Sequence, residues 1–342
     1  MNSNTQPLVS VIITTFRNEA YLPRAIESVL HQDYPNIELI VVDDNPPDSP
    51  SRANTIRVMQ QYPTVKYICH PENRNGAAAR NTGIAAASGT YIAFLDNDDF
   101  YFSAHIRHCV QALSNHPEHK CVLCGVMKIH DGICWDIISP PHGDWKKMLF
   151  FKETALGTGS NLFIDAAIVH QLHGFDEHFL RHQDVEFGLR LFAVCSACCI
   201  PDVQIIKEMD GFSNAPNFDR FLQTKQLLWK TFASELSQLT LDEQKRYFAG
   251  QYRSLLYTAC KSGKKSSITW TVQQLRQYDA LEKKDRILLM LSRLHLFPLY
   301  EGLKQTVKQH RSPHLYAQTV NHLCDYDRNQ LNHALHKTNG EE

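Results

Sequence analysis

In the stretch YIAFLDNDDFY, residues 91–101, the pattern of a buried strand runs directly into a group of carboxylates. Residues 91–95 are apolar or small, which is typical of a buried strand. Asp96, Asp98 and Asp99 follow at once, and strand geometry would direct Asp96 and Asp98 to the same side. Crowded carboxylates repel each other, and burial raises that cost. A hard divalent cation would remove the cost, although an Asp-rich turn or helix cap explains the same residues.

The first two hundred residues alternate between strand and helix patterns. Apolar, β-branched runs predict strands at 8–15, 37–42, 65–69, 91–95 and 121–127. Helical periodicity between them predicts helices, among them an Ala-rich one at 76–87. These strands are too apolar to be half exposed, which indicates a mostly parallel sheet with helices on both faces. We therefore predict an α/β, Rossmann-like fold.

The character of the chain changes beyond residue 211. Strand patterns fade, and helices are predicted at 221–239, 242–260, 267–278 and 281–295, with Gly263 and Pro298 as breaks. Lysines and arginines are frequent between residues 261 and 311. The sequence thus predicts an α/β domain at 1–215 and a helical C-terminal domain at 216–342.

The polar residues of the first half follow the ends of strands. Thr14 and Phe16 lie at the end of the first strand, Asp43 and Asp44 at the end of the second, and Asp96 begins the group already quoted. Ligands of parallel α/β sheets bind where the carboxyl ends of the strands meet. Three such ends at one edge favour a metal or ligand site over an accidental turn.

The bulk composition excludes several classes of protein. A net charge of −1 and a pI near 7.0 give no reason to expect a nucleic-acid partner. The start, MNSNTQPLVSVII, lacks the pattern of a signal peptide, so a cytoplasmic location is expected, with the ten cysteines as free thiols. Cys121 and Cys124 form a CxxC, but their apolar flanks favour packing over structural zinc.

Three blocks of sequence resemble the family 2 glycosyltransferases of GT-A fold. They are VSVIITTFRNEAYLPRAIESVLHQDYPNIELIVVDD (9–44), NRNGAAARNTGIAAASGTYIAFLDNDD (73–99) and GFDEHFLRHQDVEFGLRL (174–191). The resemblance covers about residues 8–210 and rests on the order and spacing of these blocks. It implies an inverting transfer of a sugar from a nucleotide-sugar, with a UDP-sugar expected, and Mn²⁺ or Mg²⁺ as cofactor.

The resemblance also implies the residues of a nucleotide site. Thr14 and Phe16 would line the base pocket, and Asp44 would contact uracil with Asp43 beside it. Arg80 matches a basic residue near the sugar donor, although a salt bridge to a nearby Asp would explain it equally well.

The chemistry would lie with two further segments. Asp96, Asn97 and Asp98 match the DxD motif, with Asp98 as the best metal ligand and Asp96 as a metal or ribose contact. Asp184 matches the catalytic base, while a helix N-cap is the structural alternative. Gln183 stands where the family often has Glu, which leaves the charge beside the base undecided. Gly159 and Ser160 lie where the family places an acceptor-side loop, or form a plain Gly turn.

The acceptor and the helical domain are less defined. QLLWK, 226–230, lacks the Arg of the QxxRW of processive members, which predicts transfer of one sugar at a time. The resemblance implies a glycan or glycolipid acceptor in bacterial surface polysaccharide or lipopolysaccharide synthesis. One interpretation of the helical domain is that it contacts an anionic membrane face through its basic residues and Leu288, Leu291, Leu294 and Phe297. Alternatively it forms an oligomer, or its basic residues are simply exposed to solvent over a small helical core. A nucleotide-sugar-binding scaffold and a nucleotidyltransferase remain as alternative functions.

Overall fold

The computed structural model describes residues 6–209, 217–321 and 323–336, in two compact units. The first unit comprises the described parts of 1–146, 154–213 and 311–342, and the second those of 147–153 and 214–310. Compactness does not show that either part folds alone. The domain boundaries predicted at 1–215 and 216–342 therefore stay predictions.

The first unit is built on a nine-stranded sheet in the described part of the chain. The strands are β1 Val9–Thr15, β2 Ile37–Asp43, β3 Lys66–Cys69, β4 Tyr91–Asp96, β5 Asp99–Tyr101, β6 Cys121–His130, β7 Ile133–Ile138, β8 Phe163–Asp165 and β9 Ala197–Glu208. Their order is β3-β2-β1-β4-β8-β6-β9-β5, and β7 pairs with β6. β3, β2, β1 and β4 are mutually parallel, whereas β8 and β5 pair antiparallel with their neighbours.

Helices connect the strands of this sheet, as the alternating pattern predicts. They are α1 Leu22–Leu30, α2 Pro50–Met59, α3 Gly76–Ala86, α4 His105–Asn115, α5 Trp145–Phe150, α6 Ala166–Gln171 and α7 Gln183–Val194. A 3₁₀ turn spans Gly159–Asn161. The core holds buried side chains from β1, β2, β4, α1 and α4. The predicted α/β class with a mostly parallel central sheet is confirmed.

Helix α3 is important because it carries Arg80 to the edge of the sheet. The side chain of Asn75 caps it by accepting from the N–H groups of Ala77 at 2.9 Å and Ala78 at 3.3 Å. Gly83 allows the helix to approach β1 closely, since a Cβ there would collide with Cγ2 of Ile12. Local capping and a small residue thus set the position of Arg80.

The C-terminal part of the chain is helical, as predicted. The helices are α8 Phe218–Thr231, α9 Ala233–Gln238, α10 Leu241–Ser262, α11 Lys265–Leu275, α12 Lys283–Arg293, α13 Phe297–Val320 and α14 Asp325–His336. The single helix predicted at 221–239 is wrong, because the chain breaks at Phe232 between α8 and α9. The predicted break at Gly263 is confirmed, with φ of +68° at the end of α10. Among the described residues, no helix combines the length and apolarity needed to cross a membrane.

Candidate active site

The strand ends meet at one edge of the sheet, as the sequence predicts. Thr15 at the end of β1 pairs with Asp43 of β2 on one side. Thr14 pairs with Asp96 of β4 on the other side. Thr14 is half buried and Phe16, directly after the strand, is 40% exposed. The first strand therefore lies between the two acidic strand ends, and Phe16 remains accessible to a ligand at this edge.

Asp43 points into the protein. It is fully buried, and its Oδ2 lies 2.9 Å from Nε of Arg52 and accepts from the Tyr67 hydroxyl at 2.6 Å. Its Oδ1 accepts from the backbone and side-chain N–H groups of Asn45, both at 2.8 Å. Burial, together with the Asp43 carboxylate, raises the pKa of Tyr67. Asp43 is thus held by protein groups on both oxygens, and its predicted place beside the base stays a prediction.

Asp44 organises the loop that leads into α3. Its Oδ1 accepts from Nδ1 of His70 at 2.7 Å and from the backbone N–H of Arg74 at 2.8 Å. Its Oδ2 accepts from Nδ2 of Asn73 at 2.8 Å and from the backbone N–H of Asn75 at 2.9 Å. Four hydrogen bonds therefore fix this loop beside the end of β2. The predicted contact of Asp44 with uracil stays a prediction.

Asn97, in the middle of the DxD motif, also turns inward. It is buried, and its Nδ2 donates to Oγ1 of Thr15 at 3.0 Å and to the carbonyl of Arg17 at 2.9 Å. Arg17 and Asn18 have φ of +58° and +52°, a conformation that needs outside support in residues other than glycine. Asn97 supplies that support, so it shapes the loop that carries Phe16.

Arg80 connects the DxD motif with the segment before the expected base. Its Nη2 donates to Oδ1 of Asp96 at 2.6 Å, and its Nη1 donates to Oε1 of Gln183 at 2.8 Å. The salt bridge considered from the sequence is therefore present, at the edge where the sugar donor is expected. A Cβ on Gly159 would lie 3.3 Å from Nη2 of Arg80, so the glycine leaves room for the guanidinium.

Three carboxylates cluster at the end of β4. Oxygen atoms of Asp96, Asp98 and Asp99 lie within 4.8 Å of one another. Asp99 is fully buried, and its Oδ2 accepts from Oγ1 of Thr158 and Oγ of Ser160, both at 2.6 Å. Its Oδ1 is buried with no hydrogen-bond partner among the described residues. An unpartnered oxygen beside two other carboxylates fits a hard divalent cation, which prefers oxygen ligands.

The three carboxylates of this cluster differ in pKa. Burial and the carboxylates of Asp99 and Asp96 raise the pKa of Asp98 to about 7. Burial also raises the pKa of Asp99, against the lowering effect of Lys207. Burial acts in the same sense on Asp96, but Arg80 and then Lys207 outweigh it, and the pKa of Asp96 is lowered. Asp96 is thus the carboxylate whose negative charge the protein compensates best, whereas the charges of Asp98 and Asp99 are compensated less.

Lys207 is the functional candidate that sequence reasoning missed. It lies on β9 directly opposite Asp99 of β5, and its Nζ donates to Oγ1 of Thr158 at 3.3 Å. The nearby carboxylate of Asp99 raises its pKa against the effect of burial, and Asp96, Asp98 and Asp184 act in the same direction. A lysine directly after the apolar pair Ile205 and Ile206 is the one signal that could have indicated it.

Asp184 belongs to the first turn of α7 but does not cap it. The N-cap residue is His182, with φ of +57°, so the N-cap alternative for Asp184 is wrong. Asp184 is half buried, and its carboxylate has no hydrogen-bond or ion-pair partner among the residues that the structure describes. It interacts electrostatically with Lys207. Its neighbour Gln183 is neutral and uses its amide to bind Arg80 and the carbonyl of Phe179.

The CxxC cysteines do not act as a pair. Cys124 lies 3.8 Å, Sγ to Sγ, from Cys109 on α4, and His105 completes a buried group of three metal-type ligands. Cys109 and Cys124 belong to the main apolar core, and Cys121 on the same strand is also buried. Their location fits the packing role expected from the sequence.

Comparison with known proteins identifies the class of this site. The profile described as "Glycosyl transferase family 2" matches residues 10–167. Those residues therefore form a family 2 glycosyltransferase domain, and the resemblance seen in the sequence is confirmed. The match includes every strand end described above and the acidic cluster, whereas Asp184 and Lys207 lie beyond it.

Relatives include glycosyltransferases of bacteria and of the archaeon Methanocaldococcus jannaschii. An uncharacterized glycosyltransferase of Rickettsia felis is 26% identical over 238 residues, which are 68% of this chain and 39% of the relative. An uncharacterized glycosyltransferase of Rickettsia prowazekii is 28% identical over 242 residues, 68% of this chain and 73% of the relative. The chain thus spans about two fifths of the length of the first relative and about three quarters of the second.

A solved structure confirms the GT-A-like fold. The crystal structure of S. aureus TarS 1–349 in complex with UDP-GlcNAc superposes with a TM-score of 0.58. It covers 89% of this chain and 92% of the TarS chain, at 14% sequence identity. Similarity at this level of identity concerns the fold alone.

Proposed function

We propose that the chain is a metal-dependent, inverting glycosyltransferase that moves one sugar from a nucleotide-sugar to a hydroxyl group of its acceptor. The observation that carries the proposal is the arrangement around Lys207. This lysine interacts electrostatically with the three clustered carboxylates and with Asp184. A carboxylate without a hydrogen-bond partner, held near a candidate diphosphate site, is what a base for sugar transfer requires.

The sugar donor is proposed to lie along the ends of β1, β2 and β4. Thr14 and Phe16 would face the base, on walls that Asp43, Asp44 and Asn97 hold in place through the hydrogen bonds described above. Asp98 and Asp96, with Asp99 as a third ligand, would hold Mn²⁺ or Mg²⁺. When bound, that ion would stabilise the negative charge that develops on a departing diphosphate.

The chemistry proposed for the chain's own residues is a single displacement. Asp184 accepts the proton of the acceptor hydroxyl, whose oxygen forms a bond to C1 of the sugar. The bond between C1 and the phosphate oxygen breaks, and its electron pair leaves with the nucleoside diphosphate. One displacement inverts the configuration at C1. Arg80 and Lys207 hold the surrounding carboxylates in place. Their positive charges also reduce the repulsion between these carboxylates and the diphosphate.

The wider role is proposed on the family resemblance and the bacterial relatives. The acceptor would be a glycan or a glycolipid of bacterial surface polysaccharide synthesis, extended by one sugar at a time. A UDP-sugar donor would place the enzyme in the cytoplasm, and a glycolipid acceptor would bring it to the inner face of the cell membrane. TarS 1–349 was crystallised with UDP-GlcNAc, so UDP-GlcNAc is the first sugar donor to test.

The proposal is tested by comparing binding and turnover in one variant. Asp184→Asn keeps the size of the side chain and removes the base. We expect it to bind the nucleotide-sugar as the wild type does, but to release nucleoside diphosphate about 10²–10⁴ times more slowly. A wild type that binds nucleotide-sugar with metal, yet turns over no acceptor or water, would support the scaffold alternative. Release of pyrophosphate from a nucleoside triphosphate would support a nucleotidyltransferase.

A further inference from the structure

The exposed apolar surface of the protein is concentrated in one short segment. Thirteen large apolar side chains are exposed among the described residues, and seven of them lie between residues 287 and 307. These seven are Ile287, Met290, Leu294, Leu296, Leu299, Leu303 and Val307. Single exposed apolar residues are ordinary on protein surfaces, whereas a contiguous group marks a contact surface.

The spacing of these residues places them on helix faces. Ile287, Met290 and Leu294 follow one another by three and four residues along α12 and just past its end. Leu299, Leu303 and Val307 follow by four residues along α13 and are 65%, 67% and 58% exposed. Residues three or four apart lie on the same side of a helix. Each helix therefore presents an apolar stripe to solvent.

The apolar face expected from the sequence is partly wrong. Leu288 and Phe297 are only 4% and 5% exposed and belong to the core of the second unit, and Leu291 packs against that core. Of the four residues named from the sequence, Leu294 alone is strongly exposed, at 58%. This segment has apolar residues on two sides of the helix, and the sequence alone does not show which side packs against the core.

A basic groove lies beside the exposed stripe of α12. It has a volume of about 1250 Å³ and is lined by α11, α12 and the loop between them, with Ile268, Val272 and Leu289 as apolar walls. Its three arginines are Arg276, Arg286 and Arg293, all exposed. Its acidic lining residue, Asp279, is paired with Arg253 at 2.9 Å. None of the three arginines has an ion-pair partner within the described ranges, so the groove carries uncompensated positive charge.

We propose that this surface, defined as the two apolar stripes with Arg276, Arg286 and Arg293, docks on an anionic lipid membrane. An amphipathic helix face flanked by arginine and lysine is suited to the boundary between headgroups and acyl chains. Helix α12 with its N-cap residue exposes more positive than negative charge. Its exposed basic residues are Lys283, Lys284, Arg286 and Arg293, and its exposed acidic residue is Glu282. The proposal is independent of the transferase function.

The positive charge of the groove also favours an anionic membrane over a second copy of the chain as the binding partner. A two-fold dimer places the same patch of each subunit against the other. The basic groove would then face its own like charge, whereas an anionic leaflet supplies the opposite charge along the whole surface. An anionic membrane is therefore the occupant that satisfies both the apolar stripes and the arginines.

The test is co-sedimentation of the full chain with two kinds of vesicle. One kind contains phosphatidylcholine alone, and in the other phosphatidylglycerol replaces part of it. We expect binding to the second kind, and a loss of about thirtyfold in Arg286→Gln/Arg293→Gln, since each basic residue near an anionic surface is worth roughly fivefold. Leu299→Ser/Leu303→Ser removes the apolar contribution and should lower binding at least about tenfold.

Leu241→Ser is the matched control. Leu241 is 75% exposed in the same unit but lies outside both stripes, so this variant should bind as the wild type does. Thermal unfolding of each variant would check that it is folded. Equal binding to both kinds of vesicle, or no binding to either, would overturn the proposal. A dimer in light scattering that only the leucine variant dissociates, without vesicle binding, would assign the surface to a second copy instead.

Discussion

Replacing Lys207 by methionine should destabilise the protein in a manner that depends on pH. Methionine keeps the approximate length of the side chain and removes its charge. Unit charges about 6 Å apart at an effective dielectric constant of about 20 interact by about 3 kcal/mol. Lys207 interacts with four carboxylates, and its own burial opposes part of this gain. Removing one partner of a buried charge pair costs about 3–5 kcal/mol, which corresponds to a decrease in Tm of about 10 °C.

The dependence on pH follows from the acidic cluster. The pKa of Asp98 is already raised to about 7, so its ionisation costs stability as pH rises from its unfolded pKa to that value. Lys207 lowers the pKa of both Asp98 and Asp99, and without it both pKa values rise further. The difference in stability between wild type and K207M should therefore grow between about pH 6 and about pH 9, where Asp98 ionises in the wild type and stays protonated in K207M.

The assay is thermal unfolding across this pH range, with and without Mn²⁺. A divalent cation can replace the lost positive charge, so Mn²⁺ should stabilise K207M more than the wild type. Lys66→Met is the control, because Lys66 is an exposed lysine on β3 whose Nζ donates to the carbonyl of Ala86. It should change the unfolding free energy by no more than about 0.5 kcal/mol. If K207M unfolds like the control at every pH, Lys207 does not compensate the cluster and the reasoning fails.

Three further predictions concern neighbouring positions. Arg52→Met leaves buried Asp43 without its cation and should cost about 3–5 kcal/mol in urea unfolding, and wild-type stability would contradict the buried pair. Gly159→Ala places a methyl group 3.3 Å from Nη2 of Arg80, which should weaken nucleotide-sugar binding several-fold in calorimetry while Tm changes little. Asp184→Asn should lower kcat but not the affinity for the sugar donor, and a parallel loss of both would make Asp184 a binding residue.

The central sheet could be predicted because its strands are buried on both faces. β1, β2 and β4 are mostly apolar and almost continuously buried, so the strand pattern and the position of the acidic ends follow from the sequence. β5 and β8 contain three residues each, which is too short for any periodicity to appear. β9 contains Pro201 and pairs with β6 through irregular register, which hides its alternation.

The residues of the candidate site could likewise be predicted only in part. The clustering of Asp96, Asp98 and Asp99 could be predicted because these residues are neighbours in the sequence. Lys207 could not, because it reaches the cluster through the pairing of two strands more than one hundred residues apart. The inward direction of Asp43 was equally hidden, since it depends on Arg52, which a helix brings to the end of β2.

The most direct test of the central claim is a calorimetric titration of UDP-GlcNAc with and without Mn²⁺, on wild type and Asp98→Asn. Asp242→Asn is the control, because Asp242 has a 97% exposed side chain outside the site. We predict metal-dependent binding in wild type and control that is lost in Asp98→Asn, and the same pattern in Tm, since a ligand at about 100 times its Kd stabilises by about 2.7 kcal/mol. If UDP-GlcNAc does not bind, GDP-, dTDP- and CMP-sugars are titrated in the same way. If every nucleotide-sugar binds equally with and without metal, or none binds, the acidic strand ends are not a metal-dependent donor site.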